Sequence, residues 1–93
     1  MSGAAQERGS GVEMQAPVTL AQAREVLGRA RPRRSAPLEE WLAFYQRAAA
    51  VYAEVAEIDR GHHHEALAVA GQERERAEKI TIVMRSREAS GEH

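Results

Sequence analysis

The chain has 93 residues, 13 basic and 14 acidic side chains, a net charge of -1 and no cysteine. This excludes disulfide and thiolate chemistry and any general attraction to nucleic acid. No run of about 18 apolar residues is present, and no basic-then-apolar signal opens the chain, so no membrane association and a cytoplasmic location are expected.

Residues 1–17 carry mostly small and polar side chains. Such a segment buries too little surface to offset its ordering entropy, and a disordered tail is predicted. Residues 18–85 are then one small helical domain, and residues 86–93 a frayed tail. About 65–70 ordered residues is a size at which a single core is marginal, so association would help it.

The first helix begins at Thr19, a good N-cap, with Gln22 three residues on as in a capping box. Ala23, Val26, Leu27 and Ala30 follow helical spacing, and Pro32 ends the pattern. Arg29, Arg31, Arg33 and Arg34 make the connector basic. They can complement the end of the helix dipole or contact an anion.

The second helix starts near Pro37, expected at the first helical position, with Glu39 and Glu40 favourable at its N-terminus. Three apolar tracks between Leu38 and Ile58 merge into an arc of roughly 200°. One neighbour cannot cover that arc, so packing on two sides is implied. Asp59 falls in the middle of it, where a carboxylate needs a partner or the helix must end. Gly61 suits a left-handed residue just past the helix end.

The third helix carries Ala66, Leu67, Val69 and Ala70, then Ala77, Ile80 and Met84, around a segment, Gln72 to Arg76, that reads as polar on every face. Ile80 to Val83 is β-branched, but with no second strand to pair with, it is read as helix. The fold class is therefore all-α: a short N-terminal helix plus an antiparallel helical hairpin. The competing arrangement is a helix continuous through Gly61 with two chains associated along the apolar stripe.

The stretch Asp59-Arg60-Gly61-His62-His63-His64-Glu65-Ala66 is the most distinctive. Histidine changes charge near neutral pH and is a frequent metal ligand. Adjacent residues on a helix point about 100° apart, so three consecutive imidazoles cannot converge on one ion. Asp59, His62 and His63 are the candidate metal ligands by spacing, yet zinc wants about four donors. A polar contact surface made by Asp59, His62, His63, His64 and Glu65 is the favoured alternative to that metal or acid–base site.

The core resembles a family of short, uncharacterised actinobacterial proteins. The resemblance rests on Trp41, Tyr45-Gln46-Arg47, Tyr52-Ala53, Asp59 to Leu67 and Glu73-Arg74-Glu75-Arg76, and covers about Pro37 to Lys79. Ala68, Val69 and Gln72 stand where the family often carries aromatics. The resemblance implies no activity.

No glycine-rich phosphate loop follows a strand and no HExxH motif is present, so neither a cofactor nor catalysis is expected. The leading expectation is a non-enzymatic protein-interaction or regulatory module that self-associates or binds a partner helix. The alternatives are the metal or acid–base site at the histidines and nucleic-acid contact through Arg29, Arg31, Arg33 and Arg34. The acids of the second helix oppose a broad nucleic-acid face.

Overall fold

The computed structural model describes residues 16–91, and within them the chain is all-α. The disordered tail expected over residues 1–17 lies almost wholly outside the described residues. Three helices follow in order: α1 at Leu20–Ala30, α2 at Leu38–Ile58 and α3 at His63–Gly91. A single 3-10 turn, Arg60–His62, joins the last two.

Helix α1 starts as its sequence dictates. The Thr19 hydroxyl accepts the Gln22 amide at 3.1 Å, while the Gln22 side chain accepts the amide of Val18 at 3.0 Å. The reciprocal bond thus reaches one residue beyond the cap itself. Arg31 turns extended ahead of Pro32 and ends the helix. The connector is pinned where Trp41 Nε1 donates to the Arg33 carbonyl at 3.2 Å.

Pro37 is the N-cap of α2, so Leu38 opens the helix rather than Pro37. The proline is extended, and its carbonyl accepts the amides of Glu40 and Trp41. The wide apolar arc is covered from two sides. Leu20, Ala23 and Leu27 of α1 join Phe44, Ala48, Tyr52 and Val55 in one core, and Ala56 joins Ala66 and Ala70 of α3. Alanine has little bulk, so α2 and α3 can approach closely over their length.

The hairpin, not the continuous helix, is the arrangement found. Gly61 is not left-handed, since no described glycine has positive φ. The reversal is made instead by Asp59, at φ -92° and ψ 76°, followed by the 3-10 turn. A 3-10 turn reverses the chain with right-handed residues alone, so it needs no left-handed one.

Helix α3 also runs past the expected fray point at Arg85 to Gly91. No proline or glycine interrupts 85–90, and Met84 and Arg87 lie beside Pro37 and Leu38 at the start of α2. With 29 residues against 21, α3 is longer than α2 by about 12 Å at the helical rise. The segment Ile80 to Met84 is helical despite its β-branched residues. Its antiparallel partner is a helix, and tertiary context overrides propensity.

Candidate functional site

The histidine stretch sits at the closed end of the hairpin, where all three helices meet. The Asp59 carboxylate accepts the Leu20 amide at 2.9 Å and faces His62 Nδ1 at 3.0 Å. Leu20 is the first residue of α1, so its amide has no partner inside the helix. Asp59 supplies that partner from across the fold. The Leu20 amide holds its carboxyl below the usual carboxylate range, with His62 adding to this and desolvation opposing it.

His63 caps a different helix. Its Nδ1 lies 2.8 Å from the Ala56 carbonyl in the last turn of α2. A carbonyl only accepts, so Nδ1 carries the hydrogen there. Arg60 Nη1 is 3.3 Å from the same nitrogen but is itself a donor, and its bonding partner is Glu57 at 3.3 Å. The exposed His64 ring meets the His63 ring edge-on at 5.2 Å. Glu65 reaches sideways to Arg24 of α1 at 3.2 Å, an exposed bridge of small worth.

The candidate ligands Asp59, His62 and His63 are therefore not brought together around one point. His62 turns to Asp59 while His63 turns back to Ala56. Among the described residues no group of three acid, histidine or cysteine side chains is arranged to hold a metal ion. The polar atoms of Asp59 and His63 are used in joining helices, which leaves the exposed rings of His62 and His64 as a polar rim.

The arginines of the connector do not form one face either. Arg29 pairs back along α1 with Glu25 at 2.8 Å. Arg31 lies over the rings of Trp41 and Phe44, at 5.3 and 5.7 Å from their centroids. Arg33 and Arg34 are exposed in the loop.

Sequence reasoning missed the one buried acid among the described residues. Glu73 is 8 % exposed and packs where α3 meets α1 and α2, so the segment Gln72 to Arg76, polar throughout, turns one of its acids inward. One of its oxygens takes Arg76 at 3.2 Å, and Oε1 is buried with no hydrogen-bond partner. The signal was present in the spacing Ala66, Ala70, Glu73, Ala77, Ile80, Met84, an alternation of four and three. Tyr52 lies nearby. Burial pushes its hydroxyl above the ordinary 10.0, with Arg24 opposing and Glu73 adding.

At the other end the hairpin is open. A groove of about 360 Å³ lies between Pro37, Leu38 and Glu39 of the α2 start and Met84, Arg87 and Glu88 of α3. Helix α1 stops short of it. Trp41, Leu42 and Tyr45 on α2 and Ile80 on α3 are only half-buried nearby, and Val83 is exposed.

No family model matches the chain, and no curated protein or solved structure matches it. Among the described residues no helix is long and apolar enough to cross a membrane.

Proposed function

We propose that this chain is a non-enzymatic helical interaction module, with its contact surface at the open end of the hairpin. One observation carries the reading: the core is thin while large apolar side chains stay outside it. Among the described residues seven of the twelve buried apolar ones are alanines, and Val55 is the one large side chain that is fully buried. Val18, Val26, Ile58, Leu67, Ile82 and Val83 are exposed.

Each of these side chains is 41–55 % exposed and forgoes about half of the roughly 1.5–3 kcal/mol that full burial brings. A partner helix laid along Trp41, Tyr45, Ile80 and Val83 would recover part of it. Helix-in-groove recognition of this kind needs only an apolar stripe on the partner. Ile82 and Val83 lie on the C-terminal half of α3, toward the open end, where α1 covers neither.

The test is affinity purification of the tagged protein from its native cells, paired with sedimentation velocity of the purified chain. A stoichiometric partner, or a self-associated species, is expected, weakened by Val83→Arg. A strictly monomeric protein with no stoichiometric partner overturns the reading.

A further inference from the structure

Midway along α2 the three helices line a cleft of about 150 Å³. Arg24 and Arg31 reach it from α1 and its end, Phe44 and Tyr52 from α2, and Glu73 from α3. It shares no residue with the groove at the open end.

Glu73 brings a charge that the fold does not use up. Its side chain is 10 % exposed, Oε2 takes Arg76 at 3.2 Å, and Oε1 is buried with no hydrogen-bond partner. The terminal torsion of a glutamate is soft, so the carboxylate can turn its open oxygen to the cleft that the side chain lines. Arg31 is the opposite loose end. It has no carboxylate partner among the described residues, and its guanidinium lies over the rings of Trp41 and Phe44 at 5.3 and 5.7 Å. Folds break the rule of satisfied burial mainly at functional sites, and small-molecule sites set a few convergent polar groups on an apolar wall.

We propose that this cleft binds a small α-amino acid as its zwitterion, with the ammonium on the Glu73 carboxylate, the carboxylate on the Arg31 guanidinium, and the short side chain against Phe44 and Ala48. This site is independent of the open-end surface and stands or falls without it.

Charge selects the zwitterion. The guanidiniums of Arg24, Arg31 and Arg76 stand in or beside the cleft against the carboxylates of Glu65 and Glu73, so a cation alone is repelled. A simple anion meets Arg31 but opposes Glu73 and leaves its open oxygen unmet. A ligand with both signs a few bonds apart answers both groups, and each contact is a charge-assisted hydrogen bond, the stronger kind. Size selects a small one. A cavity of this volume elsewhere holds benzene, so glycine, alanine and serine, at about five to seven heavy atoms, match it.

The experiment is a titration of the full chain followed by proton–nitrogen correlation spectra. The probes are glycine, L-alanine and L-serine, with L-lactate and ethylamine as the analogues lacking the ammonium and the carboxylate. Saturable shifts are expected along Arg24 to Arg31 and around Glu73, with a Kd between the micromolar and millimolar ranges for so small a ligand. Lactate and ethylamine bind more weakly by roughly tenfold or more, the scale of one hydrogen bond to a charged group. Glu73→Leu and Arg31→Met give the same loss, while Arg34→Met, outside the cleft, leaves binding unchanged. Glu73→Gln, which keeps the size and an acceptor for Arg76, loses binding as well, and melting curves confirm that each variant is folded.

No saturable shift with any of the three amino acids at tens of millimolar means a cleft filled by water only and overturns the proposal. Equal affinity for lactate or ethylamine overturns it, as does binding that survives Glu73→Leu or Arg31→Met.

Discussion

The carboxylate of Asp59 accepts the backbone amide of Leu20 at 2.9 Å, across 39 positions of sequence. The side chain thereby satisfies the first amide of α1 and, through His62, anchors the turn into α3, while the Asp59 backbone ends α2. Removing it should detach α1 from the hairpin. Asp59→Ala is expected to lower the denaturation midpoint clearly, and Asp59→Asn less, since the amide oxygen can still accept from Leu20. Amide exchange at Leu20, accelerated in the alanine variant, locates the effect.

The same contact fixes a dependence on pH. The folded carboxyl sits below its ordinary 3.8. A depressed folded value means the unfolded chain binds the proton more readily. The stability from Asp59 is therefore fully present above the ordinary value and is lost as pH falls through the lower, folded one. Urea melts from pH 6 downward should show this acid loss, and it should be absent in Asp59→Asn.

His63 should matter as a cap rather than as a ligand. Its bond to the Ala56 carbonyl satisfies an acceptor left open at the end of α2. His63→Ala is expected to cost about 1 kcal/mol, the usual scale of one such hydrogen bond. Adding micromolar zinc should leave the melting midpoint of the wild type unchanged, because the three candidate ligands diverge. A zinc-dependent rise that His63→Ala abolishes would refute this.

Gly61 should tolerate a side chain. Its φ is not positive, and a Cβ built there meets nothing within 4 Å. Gly61→Ala restricts the unfolded chain without straining the folded one, so a gain of roughly 0.4–1 kcal/mol is expected. Had the turn required a left-handed residue, the same change would destabilise; chemical denaturation distinguishes the two.

Glu73 should be replaceable to advantage. Its Oε1 is buried without a partner, and its side chain lines a cleft with Arg24, Leu27, Arg31, Phe44, Ala48 and Tyr52. An unsatisfied buried polar group costs roughly 1–3 kcal/mol. Glu73→Leu gives up the bond to Arg76 but removes that penalty, and a net stabilisation of about 1 kcal/mol is expected by urea melts. A net loss would show that the Arg76 pair is worth more than the orphaned oxygen costs.

Much of the fold was legible in the sequence, for local reasons. Thr19 with Gln22 announced the start of α1 and Pro32 its end, because capping and proline geometry act within a turn of chain. The apolar arc from Leu38 to Ile58 announced a helix covered on two sides, because periodicity depends on helical geometry alone. Asp59 was recognisable as a residue in need of a partner or of a helix end.

What only the tertiary structure decided depends on how the helices are rotated against one another. The Leu20 amide became the first partner of Asp59 because α1 docks with its N-terminus at the hairpin turn, a relation no local pattern encodes. Neighbouring histidines turned to different acceptors, one to the Asp59 carboxylate and one to the Ala56 carbonyl, which ended their candidacy as a joint metal site. Glu73 was buried because its place in the Ala66-to-Met84 alternation faces α2, and helix phase outweighs the polarity of a single side chain. The open groove beside Leu38 and Met84 likewise follows from α1 ending short of it. Local chemistry made the helices, and their relative placement determined which residues remain available to a partner.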